Sequence, residues 1–303
     1  MELKNLFNRI YQDYDKYFAI PAILILAATA VIGLNYATTG KIVTKGLDFT
    51  GGTEIQYHVN GSFQPTEIEK IFAANGRQDV SAATQTIGNQ TLLNVQVPPP
   101  KINQTEAEQI LEQDGYQISV ESLRSISSAV SDQFLTQALL AFVMAFTIMS
   151  LVIFYAFKDL TPSLAVIFAA AGDIIIAVAG MNILGVPLTL GSLAALLMLI
   201  GYSVDTDIVL STRVLKQDRK KLKDRIWSSI LTGVTMSSGG IAGFTILYIV
   251  STVIVGPSEL SNIAIVMVIG LLADIPLTWL GNAIILKKYV NNEINTGVIR
   301  KWI

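Results

Sequence analysis

Residues 201–207 read Gly-Tyr-Ser-Val-Asp-Thr-Asp, and they lie inside an apolar run that covers residues 187–210. The run is long enough to cross a membrane once, which places Asp205 and Asp207 within the bilayer. A carboxylate there costs roughly 2.5–3.5 kcal/mol by insertion scales, and such residues normally face a bundle interior or a hydrated path. The stretch therefore indicates a functional site inside a membrane protein. The alternative is that both acids lie near a helix end and meet water.

The composition of the whole chain indicates the same class. Of its 303 residues 51% are apolar and 15% are charged, and the mean hydropathy is +0.53; such values are typical of a polytopic membrane protein. The absence of cysteine excludes disulfides and thiolate sites, and a single histidine, His58, leaves little room for a zinc site or a Ser-His-Asp triad. We therefore expect no enzyme activity, no catalytic residues, no cofactor, no metal and no nucleic-acid partner.

Six apolar runs of spanning length follow one another along the chain. They cover residues 17–40, 133–157, 160–181, 187–210, 228–254 and 260–286. The polar segments are the N-terminus at 1–16, a long insertion at 41–132, a basic loop at 211–226 and a tail at 287–303. The first run lacks a small-residue cleavage site, so it is interpreted as a span.

Residues 41–132 predict a small α+β domain. Alternating apolar residues indicate strands at 52–60, 79–87, 91–97 and 117–126, with a turn at 88–90, and helices are indicated at 65–75 and 105–113. The order βαββαβ is that of the ferredoxin-like split motif. The predicted fold is thus an α-helical polytopic membrane protein with six transmembrane helices and one ferredoxin-like domain outside the membrane.

Positive charges indicate the orientation. The segment at 41–132 holds six of the 21 Lys and Arg residues, and the other 15 fall in segments that face the opposite side, seven of them in the loop at 213–225. Cytoplasmic segments carry the excess of positive charge. We therefore expect a multi-pass protein of the cell membrane with both termini in the cytoplasm and the α+β domain extracytoplasmic.

The junction between the first span and this domain reads Asp-Phe-Thr-Gly-Gly-Thr at residues 48–53. Paired glycines allow positive φ angles and a sharp change of direction, and Asp48 and Thr50 can bond nearby N–H groups in such a turn. No helix start or lysine follows, so a phosphate-binding loop is not indicated. We interpret the segment as a shaped connection between membrane and domain.

The same residues resemble the signature of the SecF family, whose members are membrane subunits of the protein-export machinery. The residues that carry this resemblance are Asp48, Phe49, Gly51, Gly52, Gly201, Tyr202, Ser203 and Arg213. Six spans with one ferredoxin-like domain between the first and the second is also the family's layout. The resemblance therefore covers nearly the whole chain.

The resemblance implies a role in protein export. SecF pairs with SecD, its sister of similar plan; together they resemble the two halves of an RND-superfamily transporter and assist a translocating polypeptide at the SecYEG channel. In bacterial members, ion flow through the interface between SecD and SecF drives movement of the outer domains. Bacterial fourth spans commonly read Gly-Tyr-Ser-x-Asn-Asp-Thr, whereas Thr206 takes the aspartate position here, and a bacterial basic residue is replaced around Ser228. In both respects the chain resembles archaeal-type members of the family.

Four aspartates lie inside predicted spans, where no Lys, Arg or His lies deep enough to pair with them. Asp173 and Asp274 fall near the midplane, and Asp205 and Asp207 differ by about 200° around their helix, so these two cannot face one seam. We expect Asp205, with Asp173 or Asp274, to form part of a proton-accessible site facing SecD, with Asp207 and Thr206 as further candidates. The alternative is interhelical packing, worth roughly 1 kcal/mol for each acid.

Two features of the last spans concern packing. Gly239, Gly240 and Gly243 give the fifth span a small-xxx-small spacing that allows close helix approach, either to the fourth span or to SecD. Pro276, two residues after Asp274, predicts a kink that frees backbone carbonyls.

Two other functions fit part of the pattern. A small-solute exporter half of the RND-type fold needs a larger outer domain than residues 41–132 provide. An intramembrane aspartyl protease needs a Gly-x-Gly-Asp context, but the local sequences are Ala-Gly-Asp at 171–173 and Leu-Ala-Asp at 272–274. Six spans are too few for a two-lobed transporter, so a paired subunit is expected in any case.

Overall fold

The structure is a computed structural model that describes residues 7–8, 10–11, 13–60, 63–77, 80–87, 90–100, 102–216, 220–254 and 258–291. Parts of several predicted segments lie outside the described residues. They are most of the N-terminus at 1–16, residue 79 of the second strand, residues 88–89 of the turn, residues 217–219 of the basic loop, and the tail beyond 291.

Six helices in the described part of the chain are long and apolar enough to cross a membrane. Several of them extend past the apolar runs at one end, as α7 does to Lys216, because helix ends depend on capping as well as on hydropathy. In chain order the elements are α1 (Ala19–Thr39), α2 (Leu47–Thr50), β1 (Gly52–Asn60), α3 (Pro65–Ala74), β2 (Ser81–Ile87), β3 (Gln90–Val97), α4 (Gln104–Gln113), β4 (Gln117–Ile126), α5 (Ser128–Phe157), α6 (Leu160–Leu184), α7 (Leu190–Lys216), α8 (Leu222–Ile254), α9 (Glu259–Pro276) and α10 (Ala283–Val290).

The four strands form one antiparallel sheet in the order β2-β3-β1-β4. Its core includes Ile55, Tyr57, Ile68, Phe72, Leu93 and Leu111, contributed by β1, β3, α3 and α4. Successive side chains of a strand point to opposite faces, so Glu54 and Gln56 lie on the face away from this core. A mostly helical membrane protein with a small antiparallel sheet is the predicted fold class at this level of detail, and that prediction is confirmed.

Three helices form the centre of the bundle. In α6, α7 and α9 at least 50% of the residues in the apolar part are buried, against 11% in α1, α5 and α8. The peripheral helices expose large apolar side chains, such as Leu26 of α1 and Val143 of α5. Groups that need protection from lipid and water are therefore expected between α6, α7 and α9.

The sixth span is interrupted at Pro276. This residue ends α9, a π-helix follows at Leu277–Asn282, and α10 continues the span. Proline removes one helical hydrogen bond, and π-turns inside helices occur frequently at functional sites. The predicted irregularity thus takes the form of a π-turn, and it directly follows the buried Asp274.

Candidate functional site

Three carboxyl groups meet in the centre of the bundle. Asp173 of α6, Asp207 of α7 and Asp274 of α9 all have 0% exposure. Each pair is close enough for the two groups to repel when both are charged. We call Asp173, Asp207 and Asp274 the acid cluster.

Asp274 accepts hydrogen bonds from three hydroxyl groups. Thr206 Oγ1 of α7 lies 3.1 Å from its Oδ2, and Ser237 Oγ of α8 lies 3.3 Å from the same oxygen. Thr278 Oγ1, one turn further along the sixth span, donates to Oδ1 at 2.9 Å. Hydrogen bonds from α7, from α8 and from the π-turn of its own span therefore hold the Asp274 side chain in place.

The other two acids are only partly satisfied. Ser203 Oγ donates to Asp173 Oδ2 at 2.5 Å, and Asn282 Nδ2 donates to Asp207 Oδ1 at 2.7 Å. Asp173 Oδ1, Asp207 Oδ2 and Asn282 Oδ1 have no hydrogen-bond partner among the described residues. Buried polar groups of this kind are normally paired, so the cluster retains capacity to bind a proton or a water molecule.

The acid cluster has no cationic partner in the described part of the chain. The Arg213 guanidinium, on the same helix as Asp207, turns to α8 and donates to the Ser228 carbonyl at 2.6 Å and to Thr232 Oγ1 at 2.9 Å. The positive charge of Arg213 thus lies beside Ser228 of α8. No group of three or more carboxyl or imidazole side chains among the described residues could hold a metal ion.

Apolar layers separate the cluster from both ends of the bundle. The layer on the side of the sheet domain includes Met181, Leu199, Met267 and Leu271, and the layer on the side of the N-terminal residues includes Leu210, Val214, Trp279 and Ile284. The carboxyl groups between them can change their charge by exchanging protons. They cannot do so with bulk water unless one of the layers moves.

Residues 201–207 of α7 divide between the interior and the surface of the bundle. Ser203, Thr206 and Asp207 point into the cluster, whereas Gly201, Tyr202 and Asp205 are exposed. The structure therefore brings Asp173 and Asp274 together with Asp207, and it leaves Asp205 on the outside of the bundle. The rotation of about 200° between positions 205 and 207 separates the two acids.

Two members of the site were not singled out from the sequence. Thr278 and Asn282 follow Asp274 at intervals of four residues, and both lie in the π-turn and donate into the cluster, Thr278 to Asp274 and Asn282 to Asp207. Polar residues at every fourth position of an apolar run were the available signal. Of two neighbouring serines of α8, Ser237 bonds to Asp274, whereas Ser238 bonds to carbonyls of its own helix.

The junction motif ties the outer domain to the bundle through Asp48, whose side chain is 2% exposed. Its Oδ2 accepts a hydrogen bond from the N–H of Leu190, the first residue of α7, at 2.9 Å, and its Oδ1 accepts from Arg124 of β4 at 2.5 Å. Thr50 bonds locally, to the Gly46 carbonyl at 3.1 Å. Asp48 therefore caps a membrane helix from a distant part of the chain. Its hydrogen bonds go to α7 and β4 and not to the N–H groups of its own turn.

The rest of the motif shapes this contact. Gly51 has φ +69° and Gly52 has φ +123°, which are positions that favour glycine. Phe49 is buried. The backbone at Gly46 donates to the Leu188 carbonyl at 2.7 Å, and Lys45 forms a parallel bridge with Leu188. The predicted connection between membrane and domain is thus a multi-point attachment.

These features define a class of protein: a polytopic helical membrane protein with a buried acid cluster and a small antiparallel-sheet domain attached at the start of its fourth span. A family model described as protein export membrane protein SecD/SecF, C-terminal, matches residues 106–292. "Protein-export membrane protein SecF" of Methanothermobacter thermautotrophicus is 38% identical over 94% of this chain and 96% of its own. The chain belongs to the SecF family.

Further comparisons agree with this assignment. The SecF protein of Methanocaldococcus jannaschii is 34% identical over 92% of this chain and 96% of its own length. The crystal structure of SecDF, a translocon-associated membrane protein from Thermus thermophilus, superposes with a TM-score of 0.75 at 18% identity, over 93% of this chain and 38% of that one. The predicted family and its archaeal-type character are confirmed.

Proposed function

We propose that this chain is an accessory subunit of the Sec translocase, which pairs with a SecD-type subunit and assists a translocating polypeptide at a SecYEG-type channel. The observation that carries the proposal is the family match over nearly the full length of archaeal SecF proteins. It is supported by size: the chain covers 38% of the length of the SecDF chain that it resembles in fold. A six-helix half needs a companion to form a two-lobed assembly.

The architecture outside the membrane is part of the same proposal. The sheet order β2-β3-β1-β4, with α3 and α4 on one face, is consistent with a ferredoxin-like domain. The excess of Lys and Arg in the other polar segments supports cytoplasmic termini and an extracytoplasmic domain. The domain would then meet a polypeptide on the side where it leaves the channel.

An exposed face of α7 and α8 is the proposed contact with the SecD-type subunit. Gly239 and Gly243 are exposed, and a Cβ atom added at either would meet nothing within 4 Å. They line a groove together with Tyr202, whose ring packs edge-on against Phe244 with 6.1 Å between centroids. Asp205 lies one turn from Tyr202 on α7. A carboxylate on such a face needs a polar partner within the bilayer, and small residues allow a helix of the companion to approach closely.

Replacing Gly239 with leucine tests the pairing. The larger side chain fills the groove without disturbing this chain, so the amount of SecD-type subunit that co-purifies in mild detergent is expected to fall at least about tenfold, the equivalent of roughly 1.4 kcal/mol. The control is Gly33→Leu, because Gly33 of α1 is equally open on another face. Mass spectrometry of the purified material measures both. Equal recovery of the subunit with both variants would contradict the proposed contact.

We further propose that the acid cluster couples export to the proton motive force. Three buried carboxyl groups without a cation cannot all carry charge at low cost, so the state of the cluster depends on proton exchange. The π-turn that holds Thr278 and Asn282 against Asp274 and Asp207 offers an element that can change with that state. Movement of the apolar layers would then open the cluster to one side or the other.

Asp274→Asn tests the coupling. The amide keeps the size of the side chain but cannot exchange a proton, so the part of export that a protonophore abolishes is expected to fall at least about tenfold, the range for losing one proton-transferring group. Asp274→Glu should retain much of it. Export of a secretory protein into inverted vesicles, with and without protonophore, measures both. A purely structural role predicts equal loss of export with and without the gradient, and that outcome would contradict coupling.

A further inference from the structure

The open face of the outer sheet covers a cavity of about 770 Å³. Its roof is formed by side chains of β1, β3 and β4 that point away from the domain core, and its floor by the outer ends of α8 and α9. The Asp48 attachment and the turn before α7 close one side. Ligand-binding cavities commonly have volumes of about 300–1,000 Å³, so the space is large enough for more than solvent.

The roof carries side-chain amides on neighbouring strands. Asn94 Nδ2 and Gln96 Nε2 donate to Glu54 Oε1 at 2.7 and 3.2 Å, and Ser122 donates to Gln56 Oε1 at 2.8 Å. Asn94 Oδ1 is buried and has no hydrogen-bond partner among the described residues. The face of a sheet that normally meets water is therefore here an ordered polar surface with an acceptor to spare.

The floor also presents polar groups. Thr252 Oγ1 of α8 is buried without a partner in the described part of the chain. Tyr248 lies one turn before it, and Glu259 of α9 accepts from Thr189 Oγ1 at 2.7 Å. Both walls of the cavity therefore carry hydrogen-bonding side chains, so an occupant meets polar groups on two sides.

The charge of the lining selects the kind of occupant. The carboxylates among the described lining residues outnumber the guanidinium groups by four to one: Asp48, Glu54, Glu121 and Glu259 against Arg124. Arg124 is held by Asp48 at 2.5 Å. A cavity of this charge repels anionic lipid headgroups and attracts basic side chains.

We propose that this cavity binds an extended polypeptide segment that carries basic side chains. An extended chain presents alternating N–H and C=O groups, and side-chain amides can pair with both. Glu54, which already accepts from both amides of β3, would face the basic side chain. The inference rests on the proposed function, because the segment belongs to a polypeptide in export, and it assigns the substrate contact to the membrane-facing side of the sheet.

Binding of labelled peptides to the full chain in nanodiscs of zwitterionic lipid tests this. A flexible lysine-containing peptide is expected to bind, and its counterpart with glutamate at the lysine positions to bind at least tenfold more weakly. Glu54→Gln should weaken binding of the lysine peptide about tenfold, as for loss of one charge-assisted hydrogen bond. Glu112→Gln, on the exposed side of α4, is the matched control and should leave affinity unchanged. Equal effects of the two substitutions would overturn the inference.

Cross-linking during export gives a readout that does not depend on folding of a charge variant. A photoreactive residue at Gln56 is expected to cross-link to a translocating secretory protein, and one at Gln109, on the far side of the domain, is not. Cross-linking from Gln109 alone, or displacement of the peptide by vesicles of anionic lipid, would overturn the proposal. Recovery of the SecD-type subunit without cross-linking from Gln56 would refute this inference and leave the proposed function intact.

Discussion

Gly52→Ala is expected to destabilise the outer domain by roughly 4 kcal/mol, the range of the most damaging single substitutions. Gly52 has φ +123°, and an added Cβ would lie 2.3 Å from the Val97 carbonyl oxygen. That oxygen belongs to the backbone of β3, so no side-chain rotation can relieve the contact. Because β1 is one of the two central strands and pairs with both β3 and β4, a shift at Gly52 disturbs the whole sheet.

Hydrogen exchange of the full chain in detergent measures this effect. Amides of β1 and β3 are expected to exchange about a thousandfold faster in Gly52→Ala, the equivalent of roughly 4 kcal/mol. Gly76→Ala is the control, since Gly76 also has a positive φ (+79°) but its Cβ would meet nothing within 4 Å. Its cost should stay near the roughly 1–2 kcal/mol of a left-handed alanine. Similar exchange in both variants would show that the close contact with Val97 does not matter.

Asp48→Ala is expected to loosen the attachment of the outer domain to the bundle, at a cost of roughly 2–3 kcal/mol. The change leaves the N–H of Leu190 without its acceptor and removes one of two carboxylates beside the start of α7, the other being Glu259; negative charge stabilises a helix N-terminus. The Arg124 pair adds little, because that guanidinium is 49% exposed and exposed pairs are worth at most about 1 kcal/mol. Most of the loss therefore belongs to the helix cap.

Thermal unfolding and hydrogen exchange at the first turn of α7 measure the Asp48 effect. Asp48→Asn keeps an acceptor for Leu190 and should recover about half of the lost stability, because the neutral hydrogen bond is roughly half as strong as the charged one. Asp132→Ala is the control: this acid is exposed on α5, close to the same junction. If Asp48→Ala and Asp132→Ala melt alike and exchange alike, Asp48 does not act as a cap.

Apolar run length and charge were sufficient to predict six spans and one polar domain. The reason is that hydrocarbon admits only long apolar helices, so membrane crossing is a local property of the chain. Likewise, apolar alternation predicted a strand at residues 52–60, and the structure has β1 over those residues. Helix ends were harder, because α7 continues to Lys216 through polar residues that hydropathy cannot distinguish from a loop.

Which side chains of the helices face one another inside the bundle could not be predicted in the same way. Helical periodicity fixed that Asp205 and Asp207 face different directions, but it does not say which direction is inside. Asp207 is the buried one because α7 packs between α6 and α9, with Ser203 and Thr206 turned to the same seam. Thr278 and Asn282 lie in a π-turn, for which Pro276 was only an indirect signal.

The sequence by itself thus determined the class of protein, the number of helices long and apolar enough to span a membrane, the presence of a small sheet domain, and, through its motifs, the family. Only the tertiary structure decided that Asp173, Asp207 and Asp274 form one cluster, that Asp48 caps a helix 142 residues away, and that the open sheet face covers a cavity. The physical reason is the range of the forces. Hydropathy and periodicity act within one element, whereas the rotation and height of a helix relative to its neighbours depend on packing among all of them.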